Sequence, residues 1–239
     1  MNFTTQAVVL SSIKYAEADL IVRCYTKSSG LKSYLLRNIL KSRKGKLKAS
    51  YFQPLTLLEL DVIHKDKGTL ERIQEAKILY PYQTLHGQVV KSAMVIFLAE
   101  MLTNSIQEAA EDPLLFNFLK ESLIWLDEHQ EIANFHILFL LKLSMFLGFY
   151  PDSSTIDNKY FNLEEGIFQA KNEGKYSEDG MHVSILKQFF GIDFEGINRI
   201  KPTKKIRLEI LNLLILYYQL HLQSFKKPKS LLVLNQIFE

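Results

Sequence analysis

The N-terminal third of the chain alternates apolar and polar positions with a period of two. In "ADLIVRCYTK", Leu20, Val22 and Cys24 fall on one side and Ile21, Arg23, Tyr25 and Lys27 on the other. That is the spacing of a strand with one buried face. "TTQAVVLSSIKY" before it, and "LKSYLLRN", "FQPLTLLELDVIHK" and "TLERIQEAKILY" after it, read as four further strands. Ser28-Ser29-Gly30 punctuates the turn after the second strand, where Gly30 is free to take a positive φ. Pro54 marks the start or a bulge of the fourth strand, because proline cannot donate into a ladder. Five strands with the longest connection between the third and fourth predict a small closed barrel, an OB-fold first and an SH3-like barrel second.

After "YPYQTL" the period becomes helical. Met94, Phe97, Leu98, Met101 and Leu102 form one stripe. Asp112-Pro113 is an N-cap and first-turn pair that opens a helix running to Glu128. "NFHILFLLKLSMFLGF" is apolar on nearly every side and predicts a central helix, stopped by Gly148 and Pro151. Residues 152–180 are polar and irregular, with a hairpin around "FNLEEGIFQA". A short helix over 181–190, a long one after Pro202 and a small element after Pro228 complete the chain. The predicted class is α+β: a five-stranded OB-fold β-barrel over 1–82, then a helical bundle over 83–239 with a small irregular hairpin insertion.

Charge changes the picture. From Leu20 to Leu58 there is no Asp or Glu, and there are nine Lys and Arg, against a net charge of +3 for all 239 residues. A basic N-terminal module is therefore attached to a net acidic remainder, which suits a face that meets a polyanion. The densest part is "LRNILKSRKGKLKASYF", residues 36–52. A backbone-tracking groove needs cations spaced along a surface and aromatic faces for bases. Arg23, Tyr25 and Lys27 share one face of the second strand, and Lys32 and Tyr34 share one face of the third. An acidic membrane surface fits less well, because the basic stretch has no apolar face of its own.

The sequence carries few motifs of known chemistry. There is no phosphate-binding Gly-Lys-Ser/Thr loop, no H-E-x-x-H and no G-x-S-x-G, and the six histidines are scattered. The single cysteine, Cys24, excludes a disulfide framework or a multi-cysteine zinc site, and it sits on the apolar side of a strand as an inert thiol. Glu108, Glu111 and Asp112 read as charges around two helix ends rather than an acid–base pair. No cofactor, metal or catalytic set is expected. The first fifteen residues lack the pattern of a signal peptide. The longest uncharged run near the C-terminus is interrupted by Asn212, Gln219, His221 and Gln223, so a cytoplasmic protein is expected. Lys142, inside the apolar "ILFLLKLSMFLG", either snorkels or receives the terminal carboxylate of a partner's tail.

"AVVLSSIKYAEADLIVRCYTKSSGL", the basic stretch, "FQPLTLLELDV", "LERIQEA" and "FLLKLSMFLGFYP", in this order, resemble the RecO family of bacterial DNA repair proteins. The resemblance runs through the whole chain. It is most specific in the first eighty residues and at Phe139, Leu141, Leu143, Leu147, Gly148 and Pro151. It implies an OB-fold followed by a helical domain, and a recombination mediator of the nucleoid. Such a mediator binds single- and double-stranded DNA and anneals strands. It works with RecR, contacts single-stranded DNA-binding protein and so helps load RecA. Two departures stand out. Many members carry a four-cysteine zinc site where residues 152–180 have no cysteine, so no zinc is expected, and Phe161, Leu163, Ile167 and Phe168 are expected to hold the hairpin by packing. Where the family often has a glycine opening the basic loop, this chain has Asn38, which tolerates the left-handed region.

The expected phosphate contacts are Lys41, Arg43, Lys44, Lys46 and Lys48, assisted by Arg37, Arg23 and Lys32, with Tyr25 and Tyr34 as stacking residues. An RNA-binding OB-fold protein and an adaptor that grips an acidic protein tail are the alternatives. An enzyme is the weakest reading.

Overall fold

The computed structural model describes residues 2–41, 47–65, 70–106 and 110–238. Five strands appear where the alternation places them: β1 Asn2–Tyr15, β2 Asp19–Thr26, β3 Gly30–Leu36, β4 Leu57–Ile63 and β5 Arg72–Ile78. They form one antiparallel sheet in the order β3-β2-β1-β4-β5. The period of two decides which side goes inward. Leu20, Val22 and Cys24 of β2 join Ala7, Val9, Tyr34, Leu58, Leu60 and Val62 in one core.

The sheet is not closed by a continuous ladder. Its edge strands meet at one parallel bridge between Tyr34 and Glu71. There the Leu35 amide donates to the Glu71 carbonyl at 3.1 Å, and the Glu71 amide donates to the Ser33 carbonyl at 2.8 Å. Register shifts between Val9 and Ser11 on β1 and between Asp61 and Val62 on β4 add the local twist that brings the two edges round to each other.

Two helices, α1 Val89–Ser105 and α2 Pro113–Glu128, pack on β1. Asp112 caps α2 as its sequence suggests, its Oδ1 accepting from the amides of Leu114 at 2.8 Å and Leu115 at 3.0 Å. Packing divides the chain into two compact units, Met1–Glu128 and His129–Glu239. Both α1 and α2 thus belong with the strands, although secondary structure changes character near residue 82.

In the second unit, α3 Phe135–Phe146 is buried over most of its surface, and α5 Lys204–His221 packs against it. The Tyr218 hydroxyl donates to the Leu140 carbonyl at 2.7 Å. A short sheet of β6 Tyr160–Asn162, β7 Ile167–Gln169 and β8 Ser177–Glu178 occupies the expected hairpin region. Helices α4 Met181–Leu186 and α6 Leu231–Phe238 complete the unit. The rings of Phe161 and Phe168 stack with centroids 4.8 Å apart, Phe161 also meets Tyr217, and Leu163 is buried as well. Ile167 departs from the expectation and points outward, because its neighbour Phe168 takes the inward side of a two-faced strand. Among the described residues no group of His, Cys, Asp and Glu is arranged to hold a metal ion. None of their helices is long and apolar enough to cross a membrane.

Candidate nucleic-acid interface

The basic stretch is anchored at both ends to the β-unit. At its start, Asn38 adopts φ +54°, the left-handed conformation that this position requires. Its amide donates to Asp19 Oδ1 at 2.7 Å, the Leu40 amide donates to the Ala18 carbonyl at 3.0 Å, and Lys41 Nζ donates to Glu17 Oε2 at 2.9 Å. These three contacts hold residues 38–41 against the tip of the β1–β2 hairpin, while the side chain of Ile39 is buried in the core. At the far end Leu47, Ala49 and Tyr51 pack on the same core, and Phe52 is buried within it. Lys48 lies over the Tyr51 ring, 5.5 Å from its centroid.

Of the expected phosphate contacts, Arg37, Lys41 and Lys48 are exposed at this edge. Lys41 is engaged by Glu17, but both partners are mostly exposed, so the pair can open to a competing phosphate at little cost. Arg43, Lys44 and Lys46 lie outside the described residues.

The strand residues are corrected. Arg23 donates from both terminal nitrogens to the carbonyl oxygens of Thr103 and Ile106, each at 3.2 Å. It therefore closes the C-terminal end of α1 rather than facing solvent, and burial holds its pKa below the ordinary value. Tyr25 lies on the same outer face of β2, which is covered, and the ring is 1% exposed. Burial first, and then Asp112, push its hydroxyl up to about 12. Tyr34 points the other way, into the barrel, with its hydroxyl 2.9 Å from His64 Nε2, and burial raises its pKa as well. Neither ring offers a face to a base, so the stacking role expected of Tyr25 and Tyr34 does not hold. Lys32 lies on the inward side of β3 opposite Cys24 and is half-buried.

What the strand alternation could not show is the aromatic that is exposed. Tyr15, at the end of β1, is 52% exposed, and Ile13 beside it is 63% exposed. The available signal was position, since "IKY" directly precedes the hairpin turn that the basic stretch is tied to.

The second unit holds a separate cavity of about 280 Å³, lined by His136, Leu208, Leu211, Leu234 and Asn235 with the cations Lys204, Lys205 and Arg207. Arg207 is oriented there by donating from Nε to Asn134 Oδ1 at 3.0 Å. Asn134 is held in turn by the carbonyls of Ile197 and Ile200. Burial first, then Arg207, bring the pKa of His136 down to about 3, so the imidazole is neutral. Lys142 does not line this cavity. It is half-buried on the flank of α3 that also carries the exposed Met145.

The chain is thus an α+β protein in which an OB-fold-like sheet, with a basic connection after its third strand, precedes a helical unit. The comparisons make the assignment specific. The model described as "Recombination protein O N terminal" matches residues 1–82, and "Recombination protein O C terminal" matches residues 86–231. The chain is 49% identical over 238 residues to the DNA repair protein RecO of Christiangramia forsetii and 44% identical over 238 residues to that of Flavobacterium johnsoniae, with 100% of each chain covered. It is 34% identical over 239 residues to that of Bacteroides fragilis, covering 98% of each. The chain belongs to the RecO family.

Proposed function

We propose that this protein is a DNA repair and recombination mediator that binds single- and double-stranded DNA without regard to sequence and anneals complementary strands. The observation that carries this reading is the anchoring of the basic stretch. Residues 38–41 are pinned to the β1–β2 hairpin and residues 47–52 to the core, so both ends of the basic stretch are fixed to the β-unit, with Arg37, Lys41 and Lys48 exposed. Phosphate contacts of this kind position a nucleic acid but carry no sequence information. The candidate contacts are Arg37, Lys41, Arg43, Lys44, Lys46 and Lys48. With RecR, the protein would assist RecA loading on strands coated by single-stranded DNA-binding protein, in the bacterial cytoplasm and at the nucleoid. Membership of the RecO family supports this reading. The test is annealing of complementary oligonucleotides coated with single-stranded DNA-binding protein. Acceleration by the protein is expected, and a rate equal to the protein-free control rejects the reading. Matched RNA strands in the same assay distinguish it from the RNA-binding alternative.

The cavity in the helical unit favours a second component, contact with a protein tail. An apolar pocket with three cations at its wall suits an apolar side chain followed by a carboxylate. It fits that role better than Lys142 does. A peptide copying the C-terminal tail of single-stranded DNA-binding protein should bind the wild type and lose affinity when Lys204 and Lys205 are changed to Ala. Equal affinities remove this component.

A further inference from the structure

One wall of the cavity in the second unit is made by the last helix. Leu234 and Asn235 of α6 line it together with Leu208 and Leu211 of α5. Yet α5 ends at His221, and the cavity is lined by residues from its first half. The chain therefore runs back along α5 by about 15 Å, the helical rise between His221 and Leu211. Residues 222–230 make this return. They are held at Phe225, whose ring centroid is 5.7 Å from that of Tyr218, and at Pro228, which is buried.

Beyond that anchor α6 is a short, two-faced helix. Leu231 and Leu234 are buried and Asn235 and Ile237 half-buried, while Leu232, Val233 and Gln236 are exposed. Eight residues are too few for a helix to persist alone in water, so the order of α6 depends on what its inner face packs against. Leu231 and Leu234 are the two fully buried anchors, and Leu234 borders open volume as well as protein. An apolar side chain entering the cavity would supply the packing that Leu234 lacks on that side.

We infer that α6 is a clamp on the tail site, which gains order when the cavity fills and in return slows release of the bound segment. The inference rests on the tail-binding component proposed above and assigns it a moving part. Lys204, Lys205 and Arg207 take the carboxylate, and α6 closes on the apolar side chain before it. Order in α6 and occupancy of the cavity favour each other, and such coupling is reciprocal. A change that stabilises the helix must then raise affinity without touching the pocket, because affinity scales with the fraction of molecules in which the clamp is formed.

The experiment uses Val233, which is exposed and does not line the cavity. Wild type, Val233→Ala and Val233→Gly are titrated with the peptide copying the C-terminal tail of single-stranded DNA-binding protein, and Leu234→Ala is run beside them. Alanine favours a helix and glycine disfavours it, so Val233→Gly should bind the peptide up to about fivefold more weakly than Val233→Ala. The difference should appear in the dissociation rate. Leu234→Ala should weaken binding further. DNA affinity and the main thermal unfolding transition should be the same in the wild type and both Val233 variants. Amides of residues 231–237 should exchange more slowly once the peptide is bound. Equal peptide affinities of the two Val233 variants make α6 a fixed wall and overturn the inference. Tighter binding by Val233→Gly, or faster exchange in α6 on binding, overturns it too and makes α6 a competitor that the tail displaces. A wild type that does not bind the peptide rejects the tail-binding component and the clamp with it, whereas binding with no difference between the Val233 variants removes the clamp alone.

Discussion

Lys91 donates to the backbone carbonyl of Asp127 at 2.7 Å from a position only 1% exposed. The Asp127 carboxylate meanwhile accepts from the amides of Gln83, Thr84 and Leu85 at 2.7–2.9 Å. This knot ties the segment that leaves β5 to the start of α1 and the end of α2. Burial opposes ionisation of Asp127, but the three amides and the Thr84 hydroxyl outweigh it, and its pKa lies below the ordinary value. Asp127→Ala leaves the three amides without their acceptor and removes a carboxylate charge that favours the buried Lys91 ammonium, and we expect a loss of about 3 kcal/mol in chemical denaturation. A carboxyl depressed on folding contributes stability that is full above its unfolded pKa, about 4, and is lost as pH falls through the folded value. Asp127→Asn should therefore flatten the acid limb of the stability profile, and an unchanged limb would show that the knot is not what titrates.

Arg23 is the second structural cation. Arg23→Gln should lower stability by about 2 kcal/mol, because two carbonyls at the end of α1 lose a charged donor. The salt slope of DNA binding should not move, since Arg23 faces the helix. A slope that falls by about the value of one phosphate contact would return Arg23 to the binding surface.

Asn38 occupies the left-handed region without being glycine. Asn38→Gly should be neutral or mildly stabilising. Asn38→Val should cost about 1–2 kcal/mol from backbone strain and should weaken DNA binding by loosening the turn that carries Lys41. Equal thermal midpoints for the two variants would contradict the strain argument.

Glu17 competes with phosphate for Lys41. Glu17→Gln removes the competitor and a repulsive charge, so DNA affinity at low salt should rise by a few-fold, and the gain should fade as salt screens it. Affinity that is unchanged at low salt would place the DNA away from the hairpin tip.

Much of this was legible in the sequence because each feature was decided within one short segment. Asp112 opens α2, Asn38 sets the turn, and Leu20, Val22 and Cys24 mark the core face of β2. The faces of Tyr25 and Tyr34 were not legible. Alternation separates two sides of a strand but does not say that helices will cover the second side, nor that Tyr34 will find His64 inside. The cavity at Lys204, Lys205 and Arg207 was hidden for the same reason. It is made by α3, α5 and α6 together, and no single segment carries its signature.

The central claim is that the basic stretch is the DNA-binding element. It is tested most directly by fluorescence anisotropy of a labelled single strand over a salt series, with the wild type beside a variant in which Lys41, Arg43, Lys44 and Lys46 are Ala. The variant is expected to lose affinity, and its salt slope is expected to fall by up to roughly 0.7 for each phosphate contact removed. A variant that matches the wild type in both affinity and slope would contradict it.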